Sequence, residues 1–395
     1  MPRIEGIALY EIVGSREAVV APNAYVGIRP PHARENLLLL LSDDGRCGIT
    51  NLVDGPGEGV ELDAGWMVGL DPREAFAWQG GHVTARAPAH EGALRATPGL
   101  DIALLDLCAQ SESVPLWRLL GDGARPNAPA YDSTLYFDDL VDGDGGVDPV
   151  VRRAVAALAR GHRALKIKVG RGLRWMSWPE CTERDIAVCL AVRRAVGPEV
   201  TLMVDANHGY GRYVDDAVDF LTETADCAFA FAEEMVDDGE VAALRAALRT
   251  RGLEVPLAGG EEARGLAWCR EQWSACPLDI FQMDMCRTGF LEYLAIAEFA
   301  RDNGLRLAPH NFGTRIGVCA AAHLARAVPQ AVWCECDDSA FPQYDSSGAT
   351  LRDGALWLDE RPGLGILASD PRVAPGSDEA PSAAGQNGTA LRGGA

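Results

Sequence analysis

Between residues 127 and 337 the chain repeats one pattern, a short apolar run followed by an amphipathic stretch. The apolar runs are NAPAYDS, ALKIKVG, TLMVDAN, AFAFAEEM, VPLAGGEE, DIFQMDM, RLAPHNF and AVWCECD. Stretches such as RDIAVCLAVRRAV and LEYLAIAEFARDNG lie between them, with apolar residues at helical spacing. Strand and helix therefore alternate with a period of roughly 25 to 30 residues, the pattern of a parallel sheet. Eight such units close naturally into a barrel whose chemistry sits at the C-terminal ends of the strands.

The flanks read differently. Residues 1–125 give strands and then helix: IEGIALYEIV and ENLLLLLSDDGRCGIT alternate or run apolar and break at Asp44 and Gly45. From Pro98, Ile102, Leu104, Leu105 and Cys108 fall at helical spacing, and the pattern stops at Gly121. This is an α+β unit, and the barrel is expected over 126–340. Residues 341–372, with the LDERPGLGIL turn, read as a short α+β return, and 373–395 as a small, polar, Gly-rich disordered tail. The run DGDGGVD at 142–148 lacks the closing glutamate of a calcium loop and reads as a loop, with Asp148 and Pro149 opening the next helix.

Charge narrows the function. A net charge of -21 and a pI near 4.7 argue against nucleic acid or an anionic membrane as partner. MPRIEGIALYEIV has no long apolar core of a signal, and the longest purely aliphatic run, Leu37 to Leu41, is far too short to span a bilayer. A cytoplasmic enzyme acting on a small molecule, without nucleic-acid or membrane partners and assembled as a homo-oligomer, is expected. The eleven cysteines are scattered, as reduced thiols would be. Cys334 and Cys336 cannot close a tetrahedral zinc site by themselves.

The strand ends carry the chemistry. Asp205, Glu233 and Glu261 are spaced 28 and 28 residues apart, so each occupies the same place in a successive strand-helix unit. Three carboxylates converging over a barrel mouth repel one another and need a cation, and an all-oxygen set completed by water suits Mg²⁺. Lys166 and Lys168 are the only lysines of the chain. Two apart in a strand, they share a face, pointing into the barrel while Ile167 and Val169 pack outward. Crowding two buried amines is expected to lower a lysine pKa and make a base. Asp284 and His310 end the sixth and seventh strands, within reach of each other, so that the carboxylate orients the ring and favours its charged form. Glu335 faces inward on the eighth. A lysine base, a divalent metal and a His-Asp pair together suit removal of a proton alpha to a carboxylate, the enolate being stabilised as it forms.

In these residues the chain resembles the enolase superfamily, and within it the mandelate racemase group. ALLDLCAQSESVPLWRLLGDG is similar to the family's capping-domain helix and ALKIKVG to its lysine-x-lysine strand. VDAN, FAEEM and PLAGGE resemble its metal strands, QMD and APHN its aspartate and histidine strands, and PGLGI its closing turn. The resemblance covers residues 1–370 and implies a (β/α)₇β modified TIM barrel under an α+β capping domain built from both chain ends, with bound Mg²⁺. It implies that Asp205, Glu233 and Glu261 hold the metal. Lys168 and the His310–Asp284 pair would be the acid-base groups, Lys166 would tune Lys168 or contact the substrate carboxylate, and Glu335 would hydrogen-bond that carboxylate. Either Glu233 or Glu234 fits the fourth strand, and register favours Glu233. Met235 and Met283 stand where the family often has proline. The leading expectation is a dehydratase of a sugar acid; a racemase or epimerase would use the same residues. A metal-barrel hydrolase would want a His-x-His on the first strand, which NAPAYDST lacks, and a Schiff-base aldolase has no need of three acids. Loops at 21–34, with Arg29, His32 and Arg34, and at 50–57 are expected over the mouth. Arg29, Arg34, Tyr131, Asn207 and His208 are the candidates for substrate contact.

Overall fold

The computed structural model describes residues 2–53, 65–141, 146–275 and 278–368. Most of the acidic run at 142–148, part of the loop at 50–57 and the whole C-terminal tail lie outside the described residues. The first three strands, β1 (Ile4–Ser15), β2 (His32–Ser42) and β3 (Cys47–Asn51), form an antiparallel sheet turned at Asp44 and Gly45. A hairpin of β4 (Phe76–Gln79) and β5 (His82–Arg86) follows, then α1 (Glu91–Ala96). Helix α2 (Leu100–Ser111) is buried on nearly every face, as a helix does when sheet and barrel enclose it from both sides. The short α3 (Trp117–Leu120) ends at Gly121.

Eight parallel strands then alternate with seven helices, in chain order β6 (Ala128–Leu135), α4 (Asp148–Ala159), β7 (Ala164–Lys168), α5 (Trp178–Val196), β8 (Thr201–Asp205) and α6 (Val214–Glu223). The series continues with β9 (Ala232–Glu233), α7 (Val241–Thr250), β10 (Leu257–Gly259), α8 (Gly265–Ala275), β11 (Ile280–Phe281), α9 (Met285–Asp302), β12 (Arg306–Leu307), α10 (Arg315–Ala327) and β13 (Cys334–Cys336). From β6 to β12 neighbours pair in sequence order, a parallel bridge from Leu307 to Ala331 joins β12 to the segment before β13, and β13 pairs with β6 to close the (β/α)₇β barrel. The main apolar core lies outside the barrel wall and includes Ile167 and Val169. A second cluster, Tyr131, Ala164, Met203, Phe231, Ala258, Ile280 and Ala308, fills the barrel interior, one residue from seven successive strand segments. It is the floor on which the polar groups of the mouth rest.

Three buried carboxylates of the N-terminal unit hold it to the rest. Glu35 accepts the Arg315 N–H at the start of α10 and the Tyr344 hydroxyl. Asp101 accepts the N–H groups of Phe290 and Leu291, where α9 resumes after Gly289 breaks it at φ 72°. Asp106 accepts those of Ile49 and Leu364. Each satisfies main-chain donors that burial would otherwise orphan, and burial pushes all three carboxyls up to about 7. The return segment departs from expectation. Among its described residues there are four short strands and no helix. One hairpin, Ala349–Arg352 with Ala355–Leu358, extends the barrel sheet beside β6, while Gly363 and Leu364 reach back to the N-terminal unit. No helix among the described residues is long and apolar enough to cross a membrane.

Candidate active site

The alternation of β7 sends both lysines inward. Lys166 Nζ lies 3.0 and 2.9 Å from the Glu233 oxygens, 3.1 Å from Asp205 Oδ2 and 2.8 Å from Glu335 Oε1. Lys168 Nζ pairs with Asp205 and donates to Asn207 Oδ1 at 2.7 Å. The expected depression of the lysine pKa is reversed here. Burial and the neighbouring ammonium push Lys168 down, but the Asp205 carboxylate outweighs them and holds it above its usual value. Lys166 is likewise held charged, Glu233 and Glu335 outweighing its burial. Asp205 is buried, yet the two ammoniums keep it well below the carboxylate range. Glu233 goes the other way: burial and then Asp205 push it well up, because three carboxylates share two ammoniums and the crowding disfavours a further negative charge on it. Its neighbour Glu234, at φ 42°, turns aside to accept the N–H groups of Gly260 and Glu261 at 3.3 and 3.4 Å, with His208 Nε2 3.4 Å away.

Across the mouth, a parallel bridge joins Asp284 to His310, with His310 N–H on the Met283 carbonyl at 3.1 Å. Asp284 Oδ2 lies 3.0 Å from His310 Nδ1, while its Oδ1 caps α9 through the Arg287 N–H. Glu261 Oε2 is 3.4 Å from His310 Nε2. Burial works against charge on the ring, but Glu261 and then the Asp284 hydrogen bond raise it to about 10. Glu335 joins the halves, accepting the Asn311 N–H at 3.1 Å and facing Lys166, while Cys334 and Cys336 pack in the outer core. Among the described residues, no three His, Cys, Asp or Glu side chains are gathered closely enough to hold a metal ion as they stand. The carboxylates of Asp205 and Glu233 close on the lysines, and Glu261 turns to His310.

Residues 149–371 match the family described as Enolase C-terminal domain-like. The chain belongs to the enolase superfamily. D-galactarolactone cycloisomerase of Agrobacterium fabrum is 33% identical over 325 residues, spanning 78% of this chain and 81% of that protein. L-talarate/galactarate dehydratase of Salmonella typhimurium is 30% identical over 314 residues, 77% of this chain and 71% of that one. Among solved structures, a mandelate racemase/muconate lactonizing protein of Geobacillus sp. Y412MC10 complexed with magnesium/tartrate has a TM-score of 0.80 at 28% identity, over 94% of each chain. The protein is thus an enzyme of the mandelate racemase-like group, whose relatives are lyases and isomerases.

In this enolase-superfamily enzyme a loop from the N-terminal unit reaches the mouth. Asn23, which the sequence did not single out, donates to Asn207 Oδ1 at 3.2 Å, the oxygen that also takes Lys168. The loop is pinned by Trp175 on the Asn23 carbonyl and by Phe137 N–H on that of Pro22. Arg29 stacks on Phe312 and Tyr136, 4.5 and 5.8 Å from the ring centres, and its Nε is buried without a partner; Lys168 lies 5.5 Å over the same Tyr136. Asn207 and His208 form the turn after β8 with positive φ. Two candidates are placed elsewhere. Arg34 sits on the outer face of β2, exposed and paired with Glu11, because strand alternation buries Glu35 instead. Tyr131 belongs to the barrel floor, 5.4 Å beneath Lys166 and fully buried. Gln282, two residues before Asp284 and so on its face, was also passed over; its Nε2 donates to Glu233 at 2.6 Å. The QMD stretch carried that signal.

Proposed function

We propose that the enzyme dehydrates a sugar acid, an aldonate or aldarate, to a 2-keto-3-deoxy acid, with Mg²⁺ bound by Asp205, Glu233 and Glu261. The observation that carries the reading is His310, bound through Nδ1 to Asp284 at 3.0 Å with Nε2 left for substrate, opposite a lysine strand. The donor set fits a hard cation: all ligand atoms are oxygens, and Glu233, whose ionised form is disfavoured beside Asp205 and Glu335, would be ionised by a further positive charge. That Glu234 turns aside favours Glu233 as ligand, and a related solved structure contains magnesium. Such a cation would supply Lewis-acid stabilisation of the enolate and take from Lys168 the carboxylate charge that keeps it protonated.

Lys166 and Glu335 orient the substrate carboxylate. Neutral Lys168 takes the alpha proton, the C–H electrons entering the enolate. The Nε2–H of His310 passes its proton to the beta hydroxyl, the C–O bond breaks and water leaves. The enol then tautomerises to the keto acid. Asn207 and Asn23 hold Lys168 in place, and Arg29 is positioned for the distal end of the substrate. Since Lys168 and His310 stand on separate strands, they also suit an epimerase, in which one group removes the alpha proton and the other returns it. The test is incubation with Mg²⁺ and a panel of aldonic and aldaric acids in deuterated water. Keto product supports dehydration and exchange without it supports epimerisation; neither, with metal bound, refutes both.

A further inference from the structure

A cavity of about 670 Å³ opens between β5 and α1 of the N-terminal unit and α8 and α9 of the barrel. Its wall carries five arginines, Arg86, Arg95, Arg264, Arg270 and Arg287, against two glutamates, Glu91 and Glu292. Arg86 pairs with Glu292, Arg95 with Glu91 and Arg287 with Glu262, so the wall is rich in arginine within a chain of net charge -21. Two side chains of its lining hold unused donors. Arg86, whose side chain is 7% exposed, gives one N–H to Glu292 at 3.0 Å, but its Nε and second terminal nitrogen are buried without a partner. The buried Thr288 Oγ1 also lacks one. Orphaned guanidinium donors are costly unless an acceptor arrives, and their fork geometry matches an oxyanion.

We propose that this cavity binds a small organic anion, its carboxylate or phosphate taken by Arg86 and Thr288 and its outer end by Arg270 and Arg95. The site also touches the catalytic machinery. Arg287 lines the cavity, while its guanidinium donates to the Glu261 carbonyl at 3.3 Å and its own N–H binds Asp284. An occupant is therefore placed to shift the carboxylates that face His310, and the site is an effector site rather than a second active site.

Calorimetry on the whole protein tests this with two probes, citrate for polycarboxylates and glucose 6-phosphate for phosphate esters; whichever binds names the source. One probe binds with Kd at or below about 1 mM, and Arg86→Gln weakens it about tenfold or more. Arg270→Glu, an exposed position that leaves the fold untouched, weakens it as well. Thr288→Val, close in shape, lowers affinity by a smaller factor. Binding of neither probe, or binding indifferent to Arg86→Gln and Arg270→Glu, overturns the proposal. So does a dimer, seen by sedimentation, that dissociates in Arg270→Glu while no anion binds, since the cavity would then be an interface between copies.

Discussion

Asp284→Asn isolates the charge that holds the histidine. Asparagine keeps the oxygen that caps α9 through the Arg287 N–H, so the backbone stays in place, and only the anionic partner 3.0 Å from His310 Nδ1 is lost. A hydrogen bond to a charged group contributes about 1.5–3 kcal/mol, which is about one to two pKa units. His310, raised to about 10, should therefore titrate about one to two units lower in the variant. The imidazolium is the acid, so activity is lost as pH rises through that pKa, and the alkaline limb of kcat moves down by the same amount. The raised pKa also stabilises the fold below the unfolded value of about 6.5, a contribution lost as pH rises through about 10 and smaller in the variant. Near pH 7 the ring is still charged, and poorer orientation lowers kcat by roughly ten- to a hundredfold. The assay is keto-acid formation from a turned-over sugar acid against pH, with the ring protons of His310 followed by NMR as a check that needs no substrate. An unchanged alkaline limb together with an unchanged ring titration refutes the reasoning.

Lys168→Ala should abolish alpha-deuterium exchange, and full activity in it would remove Lys168 as a base. Dialysis against EDTA should abolish turnover and Mg²⁺ restore it; undiminished activity without metal refutes the metal assignment. Arg171 lies fully buried just beyond the lysine strand, bound to Asp139 at 2.7 Å and to Asp185. Arg171→Met leaves Asp185 without its cation and Asp139 with Arg184 alone, and should cost about 3–5 kcal/mol in urea denaturation; a loss under about 1 kcal/mol contradicts the pairing. Asp101→Ala strands two buried N–H groups, for roughly 2–6 kcal/mol. Because the folded Asp101 carboxyl titrates at about 7, the native state keeps a proton that the unfolded chain releases above about 4. Wild-type stability therefore falls across that window, and the gap to the variant should narrow by roughly 3 kcal/mol from pH 5 to pH 8; a gap that ignores pH sinks the argument.

Much of the barrel was legible because each strand is short, apolar and closed by a polar residue whose job recurs one unit later. Asp205, Glu233 and Glu261 repeat at equal intervals, and Lys166 and Lys168 declare their face by parity alone. What the sequence hid depends on contacts between distant segments. Parity on β2 separates Arg34 from Glu35, yet nothing local says which face is buried until α10 packs there. Tyr131 lies on a strand that reaches the mouth, yet its side chain is buried in the interior cluster beneath Lys166. The direction of the lysine pKa turned on the Asp205 carboxylate acting on Lys168 more strongly than the second ammonium does. Asn23 sits in a loop with no periodicity, and only its folding over β8 brings it to Asn207.

The three buried acids of the N-terminal unit have a consequence for building chimaeras. Glu35, Asp101 and Asp106 each end on a main-chain N–H supplied from beyond their own unit or by the closing turn. A cap transplanted from a relative to change substrate choice would thus arrive with its anchors aimed at another protein's helix starts. Substrate choice is more readily exchanged one loop at a time, through residues 20–29, than by shuffling the two units as modules.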